Sequence, residues 1–290
     1  MLTVIALGGN ALLQPGEKGT LKEQIHNAEK AMKPVAKLVA GGEKVVLTHG
    51  NGPQVGIILL QQQWPETPAM PLNVCGAESQ GLIGYILQKT LLNYGIEAAT
   101  VVTQVLVDQG DPAFTHPSKP VGPFYDSPQP GMVEDSGRGY RKVVPSPMPK
   151  QILEINAIKA MCEKAVAITC GGGGIPVVKN GDTYDGVEAV IDKDRCADLL
   201  ARDLGADRLV ILTDVEGVYK SFGSDGQELL RELTTTDARA LLPSLAEGSM
   251  RPKVEACISF AEAGGKAFVC ALDQLGPALA GKAGTRIYKG

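Results

Sequence analysis

The triplet Asp192-Lys193-Asp194 follows the apolar, strand-like run Gly186–Ile191 and contains residue types that suit chemistry on phosphate. A lysine is a compact positive charge that binds phosphoryl oxygens, and a neighbouring carboxylate can orient its ammonium group. The alternative is a solvated turn, and these three residues taken alone favour that alternative. Support for a phosphate site must therefore come from other parts of the chain.

Three glycine-rich turns follow predicted strands and provide that support. They are Leu7-Gly8-Gly9-Asn10-Ala11, Thr48-His49-Gly50-Asn51-Gly52-Pro53-Gln54 and Cys170-Gly171-Gly172-Gly173-Gly174-Ile175-Pro176. Glycine allows a close approach of the backbone to a ligand, and successive N–H groups in such turns form concavities that bind anions. Ligands of open parallel sheets lie at the carboxyl ends of the strands. The turns therefore predict a phosphate-binding cleft lined by Gly8, Gly9, Asn10, Gly50, Asn51, Gly52, Gly172 and Gly173.

Two common nucleotide-binding signatures are missing. The sequence contains neither GxxxxGK[ST] nor a GxGxxG that opens a helix, which disfavours a dinucleotide-dependent dehydrogenase. Phosphoryl transfer depends mainly on positioning and on positive charge around the transferred group. Lys253 lies near the start of a predicted helix that begins at Met250, where the helix dipole disfavours a cation. A ligand role explains that placement better than a surface lysine does, so Lys193 and Lys253 are predicted to supply the charge.

Short apolar runs alternate with helical patterns along most of the chain. Continuously apolar strands are typical of a parallel sheet that is covered on both faces. A predicted first helix carries an apolar stripe formed by Leu21, Ile25, Ala28, Met32, Val35 and Val39. The pattern predicts an α/β fold, a three-layer αβα sandwich with a central, mostly parallel sheet. The predicted strands are Thr3–Leu7, Lys44–His49, Ala99–Val107, Val166–Cys170, Arg208–Thr213, Ala267–Leu272 and Thr285–Tyr288.

The proline-rich segment from Asp108 to Pro149 interrupts this alternation. So long a stretch without periodicity is uncommon as a simple loop inside a compact domain. It carries Lys119 and several aromatic residues, and this aromatic content argues against the alternative of a disordered linker. We expect a small protruding lid subdomain over about residues 112–149.

Composition excludes several classes of protein. The net charge of −4 gives no basic face for nucleic acid, and no apolar run reaches the roughly 18 residues of a membrane span. The first residues lack the features of a signal peptide, and the six cysteines are scattered without a CxxC pair. These observations predict a cytoplasmic protein with reduced, buried cysteines. The three dispersed histidines predict no metal-binding residues.

Several ordered blocks resemble the amino-acid kinase superfamily. The first two are Ala6-Leu7-Gly8-Gly9-Asn10-Ala11 and His49-Gly50-Asn51-Gly52-Pro53-Gln54-Val55-Gly56. The resemblance runs from Leu2 nearly to Gly290. Four further blocks narrow it to the carbamate kinases: Pro117–Phe124, Val143–Pro147, the Gly171–Pro176 loop with Gly186–Asp194, and Gly248–Ala256.

The resemblance implies an enzyme that transfers phosphate reversibly between ATP and carbamate, giving ADP and carbamoyl phosphate. Mg²⁺ would arrive with the nucleotide, and flux would often run toward ATP at the end of arginine or ureide breakdown. It also implies a homodimer with no nucleic-acid or membrane partner. Residues 1–290 would form one amino-acid kinase domain. Within it, residues 1–205, including the lid, would form the substrate and phosphate lobe, and residues 206–290 would form the nucleotide lobe.

The resemblance also assigns roles to individual residues. Lys193 would neutralise charge on the transferred phosphoryl group, and Asp194 would orient the lysines around it. Lys253 would approach the nucleotide phosphates, and Lys119 would belong to the lid subdomain, which in the family closes over the carbamate side. For Tyr219 and Met250, core packing remains an equally good explanation. The residues implied in nucleotide binding are Thr213, Asp214, Val215, Tyr219, Met250, Pro252 and Lys253.

Two features differ from the family's pattern. Met148 stands where a lysine usually follows Pro147, and the excursion between Tyr125 and Val133 is shorter than usual. These differences motivate a second hypothesis, a catalytically weak relative that binds nucleotide for a regulatory purpose. A third hypothesis is a kinase for another small acid, which would require a larger pocket. The four retained residues Lys119, Lys193, Asp194 and Lys253 favour an active carbamate kinase.

Overall fold

A computed structural model of the chain describes residues 1–14, 16–135, 137, 139–246 and 248–290, and for Asn10 it describes the backbone alone. Helices and strands alternate through most of this length. The helices are α1 Leu21–Ala40, α2 Gly52–Gln61, α3 Leu72–Asn93, α4 Ile155–Cys162, α5 Lys193–Asp203, α6 Thr235–Leu241, α7 Met250–Glu262 and α8 Leu275–Leu279. The strands are β1 Leu2–Leu7, β2 Lys44–His49, β3 Ala98–Thr100, β4 Gln104–Val107, β5 Lys119–Tyr125, β6 Met132–Glu134, β7 Tyr140–Val144, β8 Pro149–Ile152, β9 Val166–Ile168, β10 Ile175–Asn180, β11 Thr183–Gly186, β12 Arg208–Thr213, β13 Val218–Lys220, β14 Glu228–Leu230, β15 Glu232–Thr234, β16 Lys266–Ala271 and β17 Thr285–Tyr288.

The central sheet has eight strands in the order β15-β17-β16-β12-β1-β2-β9-β3. All its pairings are parallel except that between β16 and β17, which confirms the predicted mostly parallel sheet. Strand β1 lies between β2 and β12. The chain therefore adds strands first on the β2 side of β1 and later on the β12 side. This change of direction creates a crevice at the carboxyl end of β1, where ligands of such sheets bind.

Alternation of side chains along the central strands produces the three layers. Val4 and Ala6 of β1 belong to the apolar cluster that includes residues of α5 and α7. Ile5 and Leu7 point to the opposite face and belong to the cluster with α1 and α3. Because both faces of the strand are covered, the strand is apolar throughout, and the predicted αβα sandwich is confirmed.

Helix α1 carries most of its predicted apolar stripe into the core. Its start is fixed by a capping box, in which Thr20 and Glu23 satisfy each other's backbone N–H groups. Ala28, Met32 and Val35 are fully buried, whereas Leu21 in the first turn is 54% exposed. The stripe therefore packs from its second turn onward.

The segment that begins at Lys119 forms a sheet of its own. Strands β5, β7 and β6 pair antiparallel, and β5 lies against α2. A small apolar cluster joins the two, with Val121 and Val144 packed against Val55 and Ile58. The end of the proline-rich segment belongs elsewhere, since β8 pairs with β4 in the four-stranded sheet β11-β10-β4-β8.

The prediction of one continuous strand over Ala99–Val107 is wrong. The chain leaves the central sheet after β3, and β4 begins a different sheet. Thr103 lies at this break, where its backbone N–H donates to Gln80 Oε1 at 2.7 Å and its side chain contacts Thr169 Oγ1 at 2.8 Å. These buried polar bonds replace the ladder hydrogen bonds that a continuous strand would make.

The apolar run before Asp192 is not a strand either. Ala189 and Ile191 are buried, but the backbone N–H of Val190 donates to Pro145 O at 2.9 Å and that of Val187 to Pro176 O at 3.1 Å. The run is apolar because it lies in the interior. Its backbone N–H groups donate to carbonyl groups of other segments rather than to a strand alongside. Burial without a ladder gives the same composition as a strand.

None of the helices in the described part of the chain has the length and hydropathy of a membrane span. The six cysteines are free thiols, and all are buried except Cys162, which is half-buried. Burial raises the pKa of the Cys270 thiol to about 12 and also raises that of Cys257. These thiols therefore stay protonated and behave as small apolar groups.

Candidate active site

The Asp-Lys-Asp triplet forms the beginning of helix α5 and is not a solvated turn. Asp192 is the N-cap residue, and its Oδ1 accepts the backbone N–H groups of Asp194 at 2.9 Å and Arg195 at 3.4 Å. Lys193 and Asp194 are the first two helical residues. Asp192 is 7% exposed and Asp194 is 3% exposed, so both carboxylates are buried.

Asp194 lies between two lysine ammonium groups. Lys193 Nζ donates to Asp194 Oδ1, and Lys253 Nζ lies 3.0 Å from Asp194 Oδ2. Lys253 comes from the first turns of α7, which packs against α5. The ion pair offsets the cost of placing a cation near the start of a helix, so it accounts for the position of Lys253.

Burial and charge act against each other in this cluster. Burial lowers the pKa of Lys193, and Asp194 opposes that effect only in part. Burial would raise the pKa of Asp194, but the adjacent lysines outweigh it and the pKa is lowered. For Lys253, burial acts to lower the pKa, and Asp194 outweighs it so that the pKa is raised. Two ammonium groups and one carboxylate leave an excess of positive charge, which suits a phosphoryl group.

The glycine turns of β1 and β2 meet beside Lys193. A Cβ atom on Gly50 would lie 2.9 Å from the backbone nitrogen of Gly9 and 3.2 Å from Cδ of Lys193. Gly8 is similarly close to β12, since its Cβ would lie 3.3 Å from Leu212 O. Glycine is therefore required for the close approach of these turns and for the path of the lysine side chain. The side chain of Asn10 lies outside the described residues.

The start of helix α2 presents uncapped backbone donors. Asn51 occupies the N-cap position without a side-chain capping bond, and its amide donates instead to Ser79 Oγ at 2.8 Å. Gly52 is the first helical residue and has open space around it. Free N–H groups at a helix start are donors for an anion.

The four-glycine loop packs tightly against neighbouring protein groups. A Cβ on Gly172 would lie 2.2 Å from Asn51 Nδ2, and one on Gly173 would lie 2.4 Å from Ile191 O. Both glycines have positive φ, as does Cys170 with φ 54°. The loop thus supports Asn51 and the segment that leads to Asp192.

Lys119 joins the cluster through Asp192 rather than through Asp194. Its Nζ lies 2.8 Å from Asp192 Oδ2. Burial would raise the pKa of Asp192, but Lys119 and the neighbouring Lys193 hold it well below its usual range. Asp192 had no predicted role, although an aspartate directly before a helix start is a recognisable capping signal.

The residues predicted for nucleotide binding lie on β12, the loop after it and the start of α7. Thr213 ends β12, and Asp214 and Val215 begin the loop that leads to β13. The Tyr219 ring lies 5.6 Å from that of Phe222, and its hydroxyl donates to Glu216 Oε2 at 3.1 Å. Met250 and Pro252 lie in the first turn of α7. Met250 also packs, partly buried, against the core, which agrees with the packing alternative for that residue.

His49 at the end of β2 is buried beside the glycine turn. Its Nδ1 lies 3.0 Å from Gly50 O. Burial lowers the pKa of its imidazole to about 4, so the ring is neutral at neutral pH. It therefore adds no charge to the lysine cluster.

Comparisons with known proteins identify the family. The model of the Amino acid kinase family matches residues 1–271. Carbamate kinase from Halobacterium salinarum is 48% identical over 300 residues, covering 98% of this chain and 97% of that protein. The enzyme from Thermococcus kodakarensis is 45% identical over 310 residues, covering 99% and 98%. The structure of carbamate kinase from Giardia lamblia bound to AMP-PNP superposes with a TM-score of 0.93 at 44% identity, covering 100% of this chain and 98% of that chain. The chain therefore belongs to the amino acid kinase family and, within it, to the carbamate kinases.

Proposed function

We propose that this enzyme transfers a phosphoryl group reversibly between ATP and carbamate, giving ADP and carbamoyl phosphate. The observation that carries the proposal is the buried Lys193–Asp194–Lys253 cluster beside the glycine turns of β1 and β2. The relatives named carbamate kinase match the chain over nearly its whole length, and the one from Giardia lamblia binds the ATP analogue AMP-PNP. Phosphoryl transfer needs positioned positive charge, which this cluster supplies.

In this proposal each lysine acts on a different part of the reacting group. Lys193 stabilises charge on the transferred phosphoryl oxygens, and Lys253 approaches the nucleotide phosphates from α7. Asp194 holds both ammonium groups in place before the substrates arrive, so little reorganisation is needed in the transition state. The backbone N–H groups of Gly8, Gly9 and the α2 start bind oxygens of the carbamate side. Lys119 adds charge there from β5.

Magnesium is proposed to enter with the nucleotide. The two carboxylates of the site, Asp192 and Asp194, are both bound to lysines and offer no unpaired oxygen pair for a cation. Within the described ranges, no group of three acidic, histidine or cysteine side chains could hold a metal ion. Phosphate oxygens and water are therefore the ligands that would bind Mg²⁺, which keeps several waters in such sites.

The two lobes are proposed to divide the substrates between them. Residues 1–205, with the lid at about 112–149, would bind the carbamate side, and residues 206–290 would bind the nucleotide. A Cβ added to Gly8 would lie 3.3 Å from Leu212 O, so the end of β12 is close to the glycine turn after β1, which supports this division. Tyr219 and the exposed Phe222 form an aromatic pair after the loop that follows β12, and aromatic rings pack on purines.

We also propose a homodimer and a flux toward ATP. The outer face of α3 exposes Leu82, Tyr85 and Leu92. Val102 is also exposed and follows β3, the short strand at the edge of the central sheet. The three side chains of α3 lie on one side of the helix, with Lys89 between Tyr85 and Leu92, and exposed apolar surface favours association. Carbamoyl phosphate is a mixed anhydride, so its breakdown can drive ATP formation. The family resemblance supports a proposed role for that step in arginine or ureide breakdown.

A coupled assay of ATP formation tests the function. Purified protein is mixed with ADP, Mg²⁺ and either carbamoyl phosphate or acetyl phosphate, with a chelator control. The proposal predicts ATP formation from carbamoyl phosphate at a higher kcat/KM than from acetyl phosphate, and loss of the reaction with the chelator. A preference for acetyl phosphate would contradict the substrate assignment. Nucleotide binding without turnover would instead support the weak regulatory relative.

A further inference from the structure

Asp192 connects two parts of the molecule with its two carboxylate oxygens. Oδ1 accepts the N–H groups at the start of α5, and Oδ2 accepts the ammonium group of Lys119 at 2.8 Å. The two residues are 73 positions apart in the chain. The helix bonds fix the direction of the carboxylate, so the oxygen offered to Lys119 has a defined position.

Lys119 has few other restraints. It begins β5, the strand through which the separate three-stranded sheet contacts α2, and its side chain is 34% exposed. A free lysine side chain has roughly 2 kcal/mol of rotamer entropy to lose when it becomes ordered. The backbone around it is anchored by Val121 and Val144 in the cluster on α2. The side chain itself is held by Asp192, whose own side chain is only 10% exposed.

Each lysine of the site thus has a carboxylate partner on α5. Asp194 is already shared by Lys193 and Lys253, so Lys119 depends on Asp192. Without the charge of Asp192, Lys119 would face the positive end of α5 and Lys193, and repulsion would move it away from the site.

We propose that Asp192 is a positioning residue, which holds the Lys119 ammonium group at the phosphoryl-transfer centre before the substrate binds. The inference rests on the proposed function, in which Lys119 acts on the carbamate side. It assigns to Asp192 a task separate from its capping of α5. The two tasks can be separated because asparagine caps a helix about as well as aspartate but carries no charge.

Asp192→Asn is therefore the informative variant. We expect its melting temperature to stay close to that of the wild type, since the cap is retained. We expect kcat/KM for carbamoyl phosphate to fall about 10- to 100-fold, because small misplacements of a reacting group have effects of that size. The KM for ADP should stay within about twofold. An unchanged kcat/KM for carbamoyl phosphate would overturn the proposal.

A double-mutant cycle tests whether Asp192 acts through Lys119. The cycle compares the wild type, Asp192→Asn, Lys119→Met and the variant that carries both changes. If Asp192 acts by positioning Lys119, the double variant is no worse than Lys119→Met alone. Losses that multiply would show that Asp192 acts independently of Lys119 and would overturn the proposal.

A measurement without substrate distinguishes failure of this inference from failure of the proposed function. The rate at which an amine reagent labels Lys119 is followed by mass spectrometry in ligand-free wild type and Asp192→Asn, with exposed Lys30 as the internal control. Release from Asp192 should increase labelling of Lys119 several-fold and leave Lys30 unchanged. Equal labelling of Lys119 in both proteins would contradict the positioning role, whatever the wild-type activity. A wild type that makes no ATP would refute the proposed function alone.

Discussion

Asp194 shows how a buried carboxylate can be stable in the interior of this enzyme. A charge that is 3% exposed must be paired, because desolvation of an isolated ion costs several kcal/mol. Lys193 and Lys253 provide that pairing from two helices, α5 and α7. The same arrangement leaves an excess cation at the place where an anionic substrate would bind, so pairing and phosphate binding use the same groups.

His49 gives a pH-dependence of stability that belongs to a single residue. Its pKa is about 4 in the folded protein, because burial disfavours the charged ring, against 6.5 in the unfolded chain. Between pH 6.5 and about 4 the unfolded state binds a proton that the folded state does not. The free energy of unfolding should therefore fall across this window, by up to about 3 kcal/mol.

Urea unfolding of the wild type and of His49→Gln at pH 7 and pH 4.5 measures that effect. The variant should lose less stability than the wild type between the two pH values. The lowered pKa values of Asp192 and Asp194 reduce stability as the pH falls toward and below the unfolded value of 3.8, but they do so in both proteins, so the difference between the two losses reports His49. Equal losses in both proteins would contradict the account of His49.

At the scale of residues, the sequence singles out Lys193, Asp194, Lys253 and Lys119. The structure pairs the first three in one buried cluster and pairs Lys119 with the adjacent Asp192. Asp192 was missed because an N-cap is recognisable only when the helix start is known. The apolar run before it predicted a strand, and so hid that start. The packing of Gly172 and Gly173 against Asn51 and Ile191 was equally beyond prediction, because it depends on which loops meet.

The elements position the site through close contacts between turns. Gly50 follows β2 and leaves room for both the Gly9 turn and the Lys193 side chain. Its φ is not in the left-handed region, so any effect of a substitution would come from contact rather than from backbone strain.

Gly50→Ala is predicted to lower activity by displacing Lys193. The new Cβ would lie 2.9 Å from Gly9 N, and relief of that contact would move one turn away from the other. Overpacking of this kind costs about 1–3 kcal/mol, and we expect kcat to fall at least tenfold. The control is Gly276→Ala in α8, an exposed position where nothing lies within 4 Å of an added Cβ and helix propensity favours alanine. Steady-state kinetics in which both variants match the wild type would contradict the role of this contact.

Most strands of the central sheet were predictable because both of their faces are apolar. The edge strand β15, in which Glu232 is exposed, was not predicted. The two errors, Ala99–Val107 and the run before Asp192, are apolar segments whose backbones pair with loops or change sheets. An apolar composition indicates that a segment is buried. A strand also needs a neighbouring strand to which it can hydrogen-bond, and the whole fold determines whether one is present.

At the scale of the whole molecule, the exposed apolar side chains Leu82, Tyr85 and Leu92 of α3 lead to a prediction about assembly. Tyr85→Glu combined with Leu92→Glu should convert a dimer to a monomer by placing charges in the interface. Leu21→Glu changes another exposed apolar residue, at the start of α1, and is the control, which should leave the mass unchanged. Sedimentation equilibrium measures the mass of each protein. A wild-type monomer, or a dimer that persists in the double variant, would contradict the proposal.

The central claim, that the Lys193 cluster performs phosphoryl transfer from carbamoyl phosphate to ADP, is tested most directly by Lys193→Ala in the coupled ATP assay. Loss of the ammonium group should lower kcat by about 10²- to 10³-fold, the size of effect seen when one stabilising charge or donor is removed from a transition state. Lys30→Ala, which removes an exposed lysine from α1, should retain wild-type kcat. A Lys193→Ala enzyme that forms ATP at the wild-type rate would contradict the account.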